Sequence, residues 1–545
     1  FSEAVYHARR TTIREVVSET LRDGSTNGTD EDDYSSLGLL LLSGAIAALV
    51  TSPLLWLLLR ASEVASPERA VSLVFSARTA EILFNSVGLM AAVTALSVAI
   101  GVPLAVVTTG TDLPYGRFWT IVAALPLVIP SYIGAFAFVR TFGRGGEVSS
   151  ALGIPLPTID GFWGAVLVIT LYTYPYVFLS TRAALLSLDM ALVEAARSLN
   201  VSPIAAYRRV VFPQIRPAIA AGALLVALYA ISDFGTPAFM RVSVFTYEIY
   251  VESGAFNVEY AALLSLQLLA VTAVILLIEA RVGRDEGSSG GGRNARIRLG
   301  RWKWPAMGAI GTIGVVTLVV PIVIFGAWAL RGPEGGVPSL AFELGFALNS
   351  VFLATMAAAA ACLLAIPVAY HSARSDSRLS RLFERATYVG FAVPGVVIGL
   401  ALVFFGSNYA PWAYRTVPLL VFAYVVRFLP QVVGTTRSAV LQVDDRLVEA
   451  ARTLNAGRFE TFRKVTLPLI LPGVVAGGVL VFLTTMKELP ATLMLQPSGV
   501  DTLVTIVWAA HETLYYQYAA VPALILVVVS ALSMVVLLRQ ESGLG

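Results

Sequence analysis

Long apolar blocks separated by short polar ones run along the whole chain. The first six lie near 37–59, 82–109, 119–140, 162–184, 218–240 and 259–280. Six more follow near 305–330, 346–370, 388–405, 415–437, 473–495 and 519–538. Each holds about twenty residues, enough for a helix to cross a hydrocarbon core of roughly 30 Å. The pattern predicts an all-α polytopic membrane protein with about twelve transmembrane helices.

The polar stretches divide the chain. Residues 1–36 form a polar tail ending in Asp30-Glu31-Asp32-Asp33, which reads as partly disordered and cytoplasmic. No signal peptide is expected, because the first apolar block starts only near Leu37. A first membrane half then spans 37–280 and a second 305–545. Between them, 281–304 reads as a flexible linker, with Gly287, Ser288, Ser289, Gly290, Gly291 and Gly292 at its centre.

The halves are repeats. Asn85-Ser86-Val87 matches Asn349-Ser350-Val351, and Pro103 and Pro130 match Pro367 and Pro394, all at an offset of 264. Tyr174-Pro175 matches Leu429-Pro430 at an offset of 255, the first copy having a longer loop between its third and fourth spans. Six spans per half is an even number, so both copies enter the membrane with the same orientation. That predicts a pseudo-twofold axis along the membrane normal, with a pathway between the halves.

Composition adds to this picture. Hydrophobic residues make up 57% of the chain and charged residues 13%, too little charge for a water-facing surface of this size. The net charge of +3 gives no reason to expect a nucleic-acid partner. Of 38 basic residues, 28 fall in the tail, the linker, the C-terminus and alternate loops; eight fall in the opposite loops, and Arg427 and Lys487 within spans. Basic residues favour the cytoplasmic side, so both termini and the linker are expected inside. Cys362 is the only cysteine, which excludes an intrachain disulfide. The histidines show no metal-ligand spacing, and His511-Glu512 is expected to be a solvated pair in an external loop.

The most informative segments follow the fourth span of each half. Over 188–217 the chain carries Glu194-Ala195-Ala196-Arg197-Ser198-Leu199-Asn200, and over 443–472 Glu449-Ala450-Ala451-Arg452-Thr453-Leu454-Asn455, in register at 255. Each loop predicts a helix–turn–helix at the cytoplasmic surface. Asp189 and Asp444 can cap the first short helix, and Pro213 and Pro217 are expected to end the second before the next span. The small residues at the middle of its apolar face allow a partner's surface to come close to the backbone. Glu194 and Arg197 lie three apart, where they can pair with each other or with a partner. Asn200 and Asn455 stand where the helix should stop, and asparagine tolerates the left-handed conformation a stop requires.

This pattern resembles the EAA loop of ABC importer permeases, whose usual glycine is replaced here by Asn200 and Asn455. Ser232-Asp233-Phe234-Gly235-Thr236, Lys487-Glu488-Leu489-Pro490-Ala491-Thr492 and Asp501-Thr502-Leu503 look like the fused permeases of the iron(III), thiamine and related importers, the iron(III) branch above all. The resemblance covers the chain from about residue 80 and implies two MetI-like halves. It implies that Glu194, Ala195, Ala196, Arg197, Asn200, Glu449, Ala450, Ala451, Arg452 and Asn455 form the ATPase-coupling surface. It implies two ATP-binding partner subunits, an extracytoplasmic binding protein and a prokaryotic cytoplasmic membrane. No nucleotide-binding Gly-x-x-x-x-Gly-Lys-Ser/Thr occurs in the chain. ATP and magnesium are therefore expected in the partners, with no cofactor on this chain and no enzymatic activity of its own.

Asp233 and Glu488, also 255 apart, place a carboxylate at equivalent depth in each half. Intramembrane charges usually face a cavity or a partner. They are expected either to line or gate the pathway, with Lys487 and Arg427 as counter-charges, or to lock helices together. They form no metal cage. Thiamine, sulfate, a polyamine or a phosphonate are alternative cargoes for the same machinery. An ion-coupled secondary transporter, which gives no reason for the paired loops, and a non-transporting scaffold, which would tolerate loss of Glu194 and Glu449, are rivals of another class.

Overall fold

The computed structural model describes residues 26–64, 66–142, 146, 153, 158–188, 207–282, 298–332, 340–375, 377–453 and 457–542. In chain order these form helices α1 (Thr26–Ser62), α2 (Pro67–Val74), α3 (Ala77–Gly110), α4 (Gly116–Ala124), α5 (Ser131–Phe142), α6 (Gly161–Ser187), α7 (Phe212–Ser232), α8 (Gly235–Phe239), α9 (Phe245–Gly254) and α10 (Val258–Val282). The second series is α11 (Lys303–Gly314), α12 (Val320–Arg331), α13 (Leu344–Arg374), α14 (Arg378–Ala392), α15 (Gly395–Asn408), α16 (Val417–Leu441), α17 (Asp445–Thr453), α18 (Arg458–Thr461), α19 (Leu467–Thr485), α20 (Pro490–Leu495), α21 (Leu503–Glu512) and α22 (Ala520–Ser542).

Among the described residues, nine helical stretches are long and apolar enough to cross a membrane, and up to eleven if each of two bent pairs is one span. One bent pair is Gly116–Val128 with Ser131–Phe142, which turn by 88° at the residues before α5. Lipid offers no hydrogen bonds, so helices that satisfy their own backbone are the form these apolar blocks must take. Prolines inside α3, α6 and α7 recur inside α13, α16 and α19, as Pro103, Pro175 and Pro217 against Pro367, Pro430 and Pro472.

Two expectations are corrected here. The acidic run Asp30–Asp33 is helical, because α1 extends back to Thr26; propagation from an existing apolar helix costs little. Pro213 and Pro217 do not end a helix. Pro213 occupies the first turn of α7, where no N–H is required, and Pro217 lies within α7. A π-helical turn at Tyr207–Val211 leads directly into α7, and one at Phe462–Thr466 leads into α19. The linker centre lies outside the described residues.

The chain forms two compact units. One comprises Phe1–Ser52, Ala359–Gly390 and Leu429–Gly478. Its core joins Val440, Ile470 and Val474 to Cys362, Ile366 and Tyr370, and Arg437 pairs there with Glu384 at 3.2 Å. The other comprises Pro53–Ala358, Phe391–Phe428 and Val479–Gly545. Its largest core is aromatic, with Phe136, Phe234, Phe239, Phe325 and Trp328 among its buried members.

The Asn-Ser repeat acquires a physical role within this second unit. Asn85 Nδ2 donates to the Ser243 carbonyl (3.1 Å), and the Phe245 N–H donates to Ser86 Oγ (2.9 Å). In the second copy Asn349 Nδ2 donates to the Asp501 carbonyl and the Leu503 N–H to Ser350 Oγ, both at 2.9 Å. Phe245 and Leu503 are the first residues of α9 and α21, whose N–H groups have no partner in their own helices. Ser86→Ala or Ser350→Ala is expected to strand a buried donor at a cost of about 1–3 kcal/mol. Thermal melting of the purified variants in detergent, beside wild type, measures that loss.

Candidate functional site

The two acidic positions do not lie within helices. Each sits in a break. Asp233 and Phe234 separate α7 from α8, and Met486 to Leu489 separate α19 from α20. Pro490 at the start of α20 has no N–H to continue the helix, which helps to end α19 before it. The freed backbone groups are satisfied locally. Thr246 Oγ1 donates to the Asp233 carbonyl (2.7 Å), and Thr492 Oγ1 donates to the Glu488 carbonyl (2.5 Å). Broken helices inside a membrane are tolerated where side chains take over in this way.

The breaks meet beside Tyr132. A Cβ on Gly235 would lie 2.4 Å from Tyr132 Cβ and 3.4 Å from Leu489 Cδ2, so glycine is what permits this approach. The Tyr132 hydroxyl reaches the Lys487 carbonyl at 3.4 Å. Sequence reasoning found the acids but missed Gly235, Thr246 and Thr492 as the groups that shape the breaks. A glycine beside one acid and a threonine four residues beyond the other were the available signals.

The acids have different neighbours. Glu488 is 5% exposed and accepts from Arg427 Nη1 at 3.0 Å and from the Ala491 N–H at 3.1 Å. Asp233 is half-buried and accepts from Ser131 Oγ at 3.0 Å, while Ser131 also meets the Tyr229 hydroxyl at 3.0 Å. Among the described residues Asp233 has no cationic partner, and half-buried Lys487 forms no ion pair with either acid. The structure therefore brings Arg427 to Glu488 but does not bring Lys487 to an acid as a counter-charge. Beside Glu488, Ser350, Tyr424, Thr485, Thr492 and Thr502 line a cavity with about 10 Å³ open to the centre of a water molecule. That is room for about one water, and the buried Thr485 hydroxyl has no protein partner there.

Of the loop residues, Glu194, Ala195, Ala196, Arg197, Asn200 and Asn455 lie outside the described residues, as does Asp189, so neither left-handed stop is seen. Glu449, Ala450, Ala451 and Arg452 lie on α17. Asp444 caps it, its Oδ1 accepting from the Arg446 N–H at 2.9 Å. Glu449 and Ala450 are exposed, and so are the apolar side chains of Leu447 (50%) and Phe459 (77%).

His511 departs from its expected place. Glu512 is exposed, but His511 packs its ring among Phe239 (4.5 Å between centroids), Trp508, Phe136 and Tyr516. Burial, and then the charge of Arg241, push its pKa from 6.5 down to about 4. The folded protein holds this imidazole neutral. Its contribution to stability is complete above the unfolded value and is lost as pH falls from about 6.5 toward 4. His511→Phe is expected to remove that loss. The difference in melting midpoint between wild type and H511F should then widen in favour of the variant as pH falls from 7 to 4.5.

Repeated helical membrane segments, with an acid in a helix break of each half, fit a multi-pass membrane transport component. The chain belongs to the family of binding-protein-dependent transport system inner membrane components, whose pattern matches twice, over residues 97–283 and 361–544. It is similar to the Fe(3+)-transport system permease protein FbpB 2 of Haemophilus influenzae, 31% identical over 88% of this chain and 94% of that protein. It is also similar to the probable ABC transporter permease protein y4fN of Sinorhizobium fredii, 24% identical over 93% and 95%. The molybdate/tungstate transport system permease protein WtpB of Thermococcus kodakarensis is 26% identical over 43% of this chain but 94% of its own length. A half-size relative matched almost end to end accords with two fused copies.

Proposed function

We propose that this chain is the complete translocation pathway of an ATP-driven importer of iron(III). The observation that carries the cargo is the 31% identity, along most of both chains, to a permease named for Fe(3+) transport. In this reading an extracytoplasmic binding protein delivers the iron, and two ATPase subunits dock on the loops 188–217 and 443–472. The termini and those loops face the cytoplasm, as the distribution of basic residues supports. ATP binding draws the loops together and rocks the two halves, switching access from outside to inside. ATP hydrolysis belongs to the partner subunits.

Several features of α17 support the docking role. It is short, capped, and leaves Leu447 and Ala450 uncovered; uncovered apolar groups beside a loop helix mark an interaction surface. Among the described residues no three His, Cys, Asp or Glu side chains converge on a common point.

Reconstitution tests this reading. The permease is co-expressed with an ATPase subunit and a binding protein from the same organism, purified in mild detergent and placed in liposomes. A 1:2 permease–ATPase complex that takes up iron-55 only with ATP and binding protein is the expected result. Uptake of molybdate in place of iron would move the cargo to the oxyanion class. Uptake that needs no ATPase would overturn the mechanism.

A further inference from the structure

We propose that the two membrane carboxylates do unequal work: Glu488 is a fixed strut, and Asp233 is the acid that meets a cationic cargo. This rests on the transport reading above and assigns its charge contact to one half.

The asymmetry is built by exchanges at repeat-equivalent positions. At the offset of 264, Ser131 in the first half corresponds to Gly395 in the second, and at 255, Tyr172 corresponds to Arg427 and Ser232 to Lys487. In the second half the missing side chain of Gly395 makes room for the guanidinium. A Cβ there would lie 1.8 Å from Arg427 Nη1 and 2.4 Å from Glu488 Oε1. Gly395 is thus a positioning residue: any side chain at 395 overlaps the ion pair. In the first half Ser131 occupies that place and offers Asp233 a hydroxyl, while neutral Tyr172 points its own hydroxyl at the Thr317 carbonyl (3.1 Å).

The electrostatic consequences differ accordingly. Glu488 is neutralised by the half-buried guanidinium of Arg427 and tied to the Ala491 N–H. A cation gains little from a carboxylate already paired, and the lysine next to it repels one. Asp233 is less buried and interacts with the Ser131 hydroxyl and with Gly235 and Thr236 beside it, but with no cation among the described residues. An intramembrane carboxylate without a cation from its own chain is left to a proton or to a positive charge from outside the chain, and in an importer of a cation the cargo supplies that charge. Buried pairs like Arg427–Glu488 are in general replaceable by apolar side chains of similar volume, because mutual attraction and desolvation nearly cancel. A carboxylate that contacts the cargo is not.

The test compares three variants with wild type in the reconstituted complex, reading melting midpoint, iron uptake and ATP hydrolysis. Asp233→Asn is expected to melt like wild type, to keep hydrolysis stimulated by the binding protein, and to lose uptake at least tenfold. The R427M/E488M variant is expected to fold and to keep uptake within about threefold. Gly395→Ala is expected to lower the melting midpoint alone but not in the R427M/E488M background. Rescue of that kind identifies the pair as what Gly395 protects. The proposal falls if D233N transports normally or fails to fold, or if R427M/E488M folds but is inactive. It falls too if G395A melts like wild type. A wild-type complex without ATP-driven uptake would instead defeat the transport reading.

Discussion

Neither Gly222→Leu nor Gly477→Leu is expected to give folded permease. Gly222 on α7 lies against α6, where a Cβ would fall 2.8 Å from Val177 Cα and 2.3 Å from Ser180 Oγ. Gly477 on α19 lies against α16, where a Cβ would fall 2.7 Å from Val432 Cα and 2.3 Å from Thr435 Oγ1. The contact on each side is backbone, which cannot rotate away as a side chain can. Helices packing in a membrane gain little from apolar burial, so they rely on close approach over small residues. Even one added methyl forces the axes apart; overpacking of this kind typically costs about 1–3 kcal/mol. Leucine adds three further carbons at a point with no space. The loss should then reach a large part of the roughly 5–15 kcal/mol that holds an ordinary domain together. Gly308→Ala is the control, because nothing lies within 4 Å of its Cβ position and alanine favours a helix by up to about 1 kcal/mol. Size-exclusion profiles of tagged variants in detergent should show aggregate for both leucine variants and a wild-type peak for G308A.

The same glycines show where the sequence could have been read further. Gly222 and Gly477 are 255 apart, as are Val177 and Val432, so the crossing was written twice in the chain. It went unread because a glycine inside an apolar block looks like any other small residue until its neighbour on another helix is known. The helical class, the repeat and Asp444 as a cap were all legible, since each depends on local spacing or a constant offset. The breaks at Asp233 and Glu488 were not. An apolar window measures hydropathy alone, and it runs through a break whose carbonyl is satisfied by a threonine hydroxyl, from Thr246 beyond the first span and from Thr492 within the second. His511 failed for a related reason: beside Glu512 it reads as wet, and only the fold brings Phe136 and Phe239 to it. Arg427 was legible as a membrane charge, but its partner depended on an absent atom, the Cβ of Gly395. Contacts made possible by missing side chains leave the weakest trace in a sequence.

Ala450→Arg is expected to abolish ATPase docking at one loop while leaving the permease folded. Ala450 is exposed on α17, so a larger side chain there displaces nothing inside the protein, and such surface changes usually alter stability by no more than about 0.5 kcal/mol. At a docking surface the same change places a long, charged side chain where a partner needs contact with the backbone. Removing good complementarity at the centre of an interface typically costs about 2–4 kcal/mol, or roughly thirtyfold to a thousandfold in affinity. One chain carries both loops, so A450R spoils one of two sites, and A195R with A450R spoils both. The single variant should retain one ATPase on purification and the double variant none, with iron uptake lost in both, since rocking two halves requires both loops to be pulled. Asp444→Ala tests the same surface from inside. Loss of the cap costs about 0.5–2 kcal/mol, and a nine-residue helix has little propensity to spare. D444A should therefore weaken docking by a smaller factor than A450R, restored in part by Asp444→Ser, which keeps an oxygen for the Arg446 N–H. If the double arginine variant still purified with two ATPase subunits, the loops would not be the docking surface.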